Sequence, residues 1–149
     1  MKLRTPMPEL DGATDWLNGE VTKEELVGKK ATLIHFWSIS CGLCKDAMPN
    51  INEFRDKYKD RLNVISVHMP RSEKDLDLEE IKKVAAEHDI NQPIYIDNTH
   101  KLTDAFENQY VPSYYVFDEE GLLRHFQAGG GGVKMLTKRI NRVLGIKEE

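Results

Sequence analysis

The sequence predicts an α/β fold: a mixed central sheet with helices on both faces. Three observations predict it. Two nearly continuous apolar, β-favouring runs, Ala31 to Trp37 and Leu62 to His68, suit strands covered on both faces. Segments whose apolar residues recur at intervals of three and four, the period of a helix face, follow them. Near the C-terminus, Tyr114 to Phe117 and Leu122 to Gln127 are joined by Asp118-Glu-Glu-Gly121, a hairpin loop with glycine at its end. Early strand–helix–strand units imply parallel central neighbours, and the closing hairpin adds an antiparallel pair. The 149 residues fit one domain, 1–149, which by size scaling buries roughly 68–70% of its unfolded surface.

Residues Lys2 to Gly19 read as an irregular N-terminal extension, broken by Pro6, Pro8, Gly12 and Gly19. Thr22 and Glu25 form a capping box, and Gly28 stops the short helix it opens. After the strand Ala31–Trp37, Ser38-Ile39-Ser40 turns the chain into a long helix. Its inner face is Cys44, Ala47, Ile51, Phe54 and Tyr58, and Pro49 inside it is expected to kink it. The second strand, Leu62 to His68, leads to a charged stretch and then a helix over Leu78 to His88, with Leu78, Ile81, Val84 and Ala85 on one face. Pro93 to Ile96 is a short third strand, and Leu102 to Phe106 a short helix. After the closing hairpin and Gly129–Gly132, a last helix turns Val133, Leu136, Ile140, Val143 and Leu144 inward.

Composition excludes several function classes. With 21 Lys and Arg against 25 Asp and Glu, the net charge is −4, and no basic block stands clear of acids as phosphate contact would require. The densest charge run, Arg71 to Lys83, mixes both signs and reads as a solvated helix face. The N-terminus MKLRTPMPEL has two basic residues but none of the apolar stretch of about 7–15 residues behind them that marks a signal peptide. No run approaches the roughly 18 apolar residues of a membrane span. The expectation is a cytoplasmic protein, where thiols are kept reduced; a chain already relieved of an export signal would read the same.

The two cysteines both lie in Cys41-Gly42-Leu43-Cys44. A C-x-x-C in a cytosolic chain with strand–helix–strand patterning suggests a redox pair. It sits where a central strand ends and a helix begins, so free N–H groups and the helix dipole favour a thiolate. Cys41, at the helix mouth, is the expected nucleophile. Cys44, one turn on and facing the core, is the expected resolving residue. Three alternatives stand beside this reading. A structural disulfide closing so small a loop adds little stability. Zinc needs four ligands, whereas the five histidines are scattered singly. A binding module could instead hold Cu(I) or another thiophilic metal on the cysteine pair.

His35-Phe-Trp-Ser-Ile-Ser-Cys-Gly-Leu-Cys-Lys-Asp-Ala-Met-Pro49 resembles the active-site segment of the thioredoxin superfamily. Tyr110-Val-Pro-Ser-Tyr-Tyr-Val-Phe-Asp118 resembles that superfamily's cis-proline strand, downstream and in the same order. The extra helical segment at roughly Arg71 to Asp89, after the second strand, is similar to that of the TlpA/ResA-like group. Within it the layout resembles the cytosolic YkuV-type thiol–disulfide oxidoreductases, through Trp16-Leu-Asn-Gly-Glu20, His68-Met-Pro-Arg-Ser-Glu73 and Phe126-Gln-Ala-Gly-Gly130.

The resemblance implies a thioredoxin fold and a thiol–disulfide oxidoreductase that reduces protein disulfides through Cys41 and Cys44. It implies a cis bond at Pro112, with Val111 pairing its backbone to an incoming peptide by strand addition. The chain departs from the pattern where Ser40 stands in place of tryptophan, Leu43 in place of proline, His35 in place of a buried aspartate, and Ala47 in place of a glutamate. The usual proton-handling carboxylates are thus missing. His35 could accept the Cys44 proton or be a hydrogen-bonded core histidine. Lys45 could raise local positive charge or be solvated, and Trp37 is expected to pack at the site. No metal or organic cofactor is implied. The expected partners are disulfide-containing proteins and an electron-donating thiol or reductase, and a monomer is expected, because no apolar stripe is left over.

Overall fold

The computed structural model describes residues 1–146. Its strands are β1 (Asp15–Leu17), β2 (Ala31–Trp37), β3 (Leu62–His68), β4 (Ile94–Ile96), β5 (Ser113–Phe117) and β6 (Leu123–Ala128). They form one mixed sheet in the order β1-β4-β3-β2-β5-β6. The helices are α1 (Lys23–Leu26), α2 (Gly42–Lys57), α3 (Leu78–Glu87), α4 (Lys101–Ala105) and α5 (Val133–Leu144), and a 3-10 turn at Glu73–Leu76 precedes α3.

β2 lies at the centre, parallel to β3 with Ile34 beside Ile65 and antiparallel to β5 with Ile34 beside Tyr115. Every β2 residue is buried, as its nearly continuous apolar run requires of a strand covered on both faces. On one face Ile34 and Phe36 join Ile65, Val67, Phe106, Tyr115 and Phe117. On the other, Leu33 meets Ile51 and Phe54 of α2 and Leu136 and Ile140 of α5. A third cluster gathers at the end of β2, where Trp37, Ile39, Cys41, Cys44 and Met48 pack with Ile81, Val84 and Ala85 of α3. The segment inserted after β3 therefore covers the cysteine pair.

Local chemistry sets the element ends. Both halves of the Thr22–Glu25 capping box form: the Thr22 N–H donates to Glu25 Oε1 at 3.1 Å, and the Glu25 N–H to Thr22 Oγ1 at 3.2 Å. α4 is capped from a distance. His100, at its N-cap, makes no side-chain cap bond. The buried Asp97 carboxylate instead accepts the Leu102 and Thr103 N–H groups at 3.0 and 2.8 Å and the Thr103 hydroxyl at 2.6 Å. Pro49 lies inside α2, where it removes one helical donor.

The N-terminal extension is not wholly irregular. Asp15–Leu17 pairs antiparallel with β4, Asp15 beside Ile96 and Leu17 beside Ile94, and Pro6 bridges Leu122. Met7 and Leu10 are buried beneath it. A strand of three residues whose partner is distant in the chain leaves no period-two pattern of its own to be read.

Candidate active site

The chain leaves β2 at Trp37, turns through Ser38–Ser40 and enters α2 with Cys41 as its N-cap. Cys41 and Cys44 form a disulfide with their Cα atoms 5.3 Å apart. The Cys41 sulfur also accepts the Cys44 N–H at 3.1 Å. That is the capping bond an oxygen side chain ordinarily makes, and here it aims a helix donor at sulfur. No acid lies in the first turn of α2, so the positive end of the helix is uncancelled there. Cys41 is 4% and Cys44 1% exposed, while Leu43 between them is 56% exposed.

The turn before Cys41 is tied to the chain that follows β3. The Ser38 hydroxyl donates to the Met69 carbonyl, and the Ile39 N–H donates to His68 Nε2 at 3.1 Å. The Ser40 hydroxyl donates to Asp75 Oδ2 at 2.8 Å, which also accepts the Arg71 N–H at 2.9 Å. The Arg71 guanidinium donates from Nη2 to the Ser40 carbonyl at 2.7 Å and to its hydroxyl at 3.1 Å, and from Nε to the same hydroxyl at 3.2 Å. The Arg71–Lys83 run is therefore not simply a solvated helix face. Its first residues precede α3, Arg71 reaches back to the active-site turn, and Asp75 is only 1% exposed.

The Val111–Pro112 peptide bond is cis, and Val111 packs against the cluster that holds both cysteines. The turn is pinned from both sides. The Tyr110 carbonyl accepts Asn108 Nδ2 at 2.8 Å and the Ser113 hydroxyl at 2.6 Å, and the Pro112 carbonyl accepts the Gly129 N–H at 2.8 Å. Gly129 holds φ 93° to do so, a left-handed conformation that favours glycine. The Val111 N–H and C=O make no hydrogen bond among the described residues. Tyr110 stands 63% exposed beside this free backbone. A groove of about 270 Å³ runs alongside, lined by Leu43, Asp46, Ala47, Tyr114 and Gly130 among others.

His35 is buried on β2, and its Nε2 accepts the Gln92 amide at 2.9 Å. The Gln92 oxygen in turn accepts Arg55 Nη1 at 2.9 Å. Burial, with Arg55 adding to it, pushes the His35 pKa down to about 3. The ring is thus neutral at ordinary pH and bonded to Gln92; it makes no hydrogen bond to either cysteine among the described residues. Lys45 is half-buried in the first turn of α2 and makes no ion pair among the described residues. Trp37 is buried, edge-on to His68 with ring centres 5.0 Å apart. Burial pushes His68 down to about 4, against the opposing pull of the Asp75 carboxylate.

Ser40, His68, Arg71, Asp75 and Asn108 thus belong to the site, although the sequence assigns none of them a role there. Ser40 is marked only as a departure from the tryptophan of the pattern, and His68 and Arg71 only as part of the His68–Glu73 segment that carries the resemblance. Among the described residues, no group of three or more His, Cys, Asp or Glu could hold a metal ion.

Comparison with known proteins agrees with this geometry. The AhpC/TSA family pattern matches residues 3–126. The chain is 73% identical over 144 residues to the thiol-disulfide oxidoreductase YkuV of Bacillus subtilis (strain 168), covering 97% of each. It is 25% identical over 109 residues to the thiol-disulfide oxidoreductase ResA of Bacillus cereus (strain ZK / E33L), covering 72% of this chain and 60% of that one. A thioredoxin-like protein solved in solution in its oxidised form superposes with a TM-score of 0.91 at 72% identity, covering 99% of this chain and 100% of that one.

Proposed function

The chain belongs to the AhpC/TSA family and is a thiol–disulfide oxidoreductase of thioredoxin-like fold; from that premise we propose that it reduces protein disulfides, with Cys41 attacking and Cys44 resolving. The observation that carries this division of labour is the Cys44 N–H aimed at the Cys41 sulfur at 3.1 Å from the start of α2. A helix N-terminus stabilises negative charge, so Cys41 is the sulfur that can wait as a thiolate.

The Cys41 thiolate attacks one sulfur of the substrate disulfide. A Cys41–substrate bond forms, the substrate bond breaks, and the other substrate sulfur leaves as a thiolate. Cys44 then loses its proton and attacks the Cys41 sulfur, which releases the second substrate thiolate and leaves the Cys41–Cys44 disulfide. Two electrons pass to the substrate, and two protons complete its thiols. The Val111 backbone beside Pro112, unpaired among the described residues, supports strand addition by the substrate peptide, and exposed Leu43 and Tyr110 offer it apolar contact.

His35 supports the resolving step less directly than a carboxylate would, because a ring with so low a pKa holds a proton poorly at neutral pH. A cytoplasmic monomer, recharged by a thiol or reductase partner and using no metal or organic cofactor, belongs to the same proposal. Its support is that both cysteines of the chain are committed to one redox pair. The test is insulin reduction with dithiothreitol as electron donor. The protein should accelerate precipitation of the insulin B chain well above dithiothreitol alone, and an unchanged rate would refute the reductase reading.

A further inference from the structure

The insert after β3 does more than roof the cysteines. We propose that Arg71, held in place by Asp75 through Ser40, is a positioning residue that stabilises the Cys41 thiolate. The inference rests on Cys41 being the attacking residue.

Ser40 immediately precedes Cys41, and all of its polar side-chain and carbonyl contacts come from the insert. Its carbonyl receives Arg71 Nη2 at 2.7 Å, and its hydroxyl receives Arg71 Nε and Nη2 at 3.2 and 3.1 Å while donating to Asp75 at 2.8 Å. Asp75 grips the other end of Arg71 too, by accepting its main-chain N–H at 2.9 Å. Three residues thus form a closed ring of charge-assisted bonds. Arg71 is exposed while Asp75 is buried, so the cation faces the solvent side of the turn, where a substrate sulfur arrives. Its placement adds a full positive charge to the partial one at the N-terminus of α2. A positive charge bonded to the carbonyl that joins the Cys41 nitrogen favours the charged form of the sulfur on that residue.

Other ionisable groups sit on the elements around Cys41: Lys45 and Asp46 on α2, His35 on β2, His68 on β3, and Tyr110 before Pro112. His35 and His68 stay neutral near pH 7, because their pKa values are held at about 3 and about 4. Asp75 opposes Arg71, but its side chain meets Ser40 only at the hydroxyl, whereas Arg71 also bonds the Ser40 carbonyl, which is joined directly to the Cys41 nitrogen. Thiolate stabilisation of this kind also stabilises the reduced pair, which makes the couple less reducing than it would be without Arg71.

The test is the pH dependence of Cys41 alkylation by iodoacetamide in the reduced protein, at low salt, for the wild type, Arg71→Gln and Arg71→Lys. Arg71→Gln should raise the alkylation midpoint by about half a pH unit, the scale of one charge at a helix end. Arg71→Lys should recover part of that shift. Because Arg71 is exposed, the difference should shrink in 1 M salt. If Arg71→Gln titrates with the wild type, or if Gln and Lys shift the midpoint equally, Arg71 only braces the loop and the proposal fails. Alkylation needs no protein substrate, so a failure of insulin reduction would count against the proposed function and leave this result to stand or fall separately.

Discussion

Cys41→Ser is expected to reduce disulfide exchange to the background rate, while Cys44→Ser is expected to complete one attack and stop at a mixed disulfide. The asymmetry follows from position. Only the Cys41 sulfur receives the helix-start N–H, and a serine hydroxyl in its place is far too weakly acidic to attack at neutral pH. Cys44 is the more buried of the two, so a substrate disulfide reaches Cys41 first. Without Cys44 nothing resolves the adduct from within the protein. Mass spectrometry of each variant, mixed with a disulfide-containing peptide, reads this directly: a peptide adduct on Cys44→Ser and none on Cys41→Ser. The reverse pattern would exchange the two roles.

Phe106→Ala is expected to cost about 3–5 kcal/mol of stability, the usual range for removing a buried phenylalanine. Phe106 is fully buried at the end of α4, edge-on to Phe36, Tyr115 and Phe117 at ring-centre distances of 5.2, 4.9 and 6.0 Å. It therefore joins β2 to β5, the strands that deliver Cys41 and Pro112 to the same end of the sheet. A domain of this kind has only about 5–15 kcal/mol in all, so the melting temperature should fall by roughly 10 °C. Urea titration should show a lower midpoint with an unchanged slope. A loss below about 1 kcal/mol would mean that the cluster collapses around the cavity and does not act as a rigid unit.

Much of the fold is legible in the sequence where the signal is local. β2 and β3 run over the residues their apolar runs mark, Ala31–Trp37 and Leu62–His68. The Thr22–Glu25 pair caps α1 by the bonds its spacing implies. The redox pair is legible for the same reason, since strand end, C-x-x-C and helix start are contiguous. What lies beyond local pattern is harder to see. β1 is three residues long and owes its existence to β4. His35 looks available for proton transfer until Gln92, which occupies its Nε2, comes into view from across the sheet. Arg71 and Asp75 sit in a mixed charge run, and burial of Asp75 follows from the path of the insert rather than from its composition. Charged residues give no periodic signal that separates a solvated face from a closed hydrogen-bonded ring.

The midpoint potential of the Cys41/Cys44 couple, equilibrated against dithiothreitol buffers, tests the account most directly. For a two-electron couple, about 30 mV corresponds to about 1.4 kcal/mol, so modest shifts are measurable. A disulfide reductase should fall near the value of thioredoxin, about −270 mV. A value towards that of DsbA, about −120 mV, would mean that the reduced pair is too strongly stabilised to give up its electrons. The protein would then oxidise its partners, and the reductase account would be contradicted.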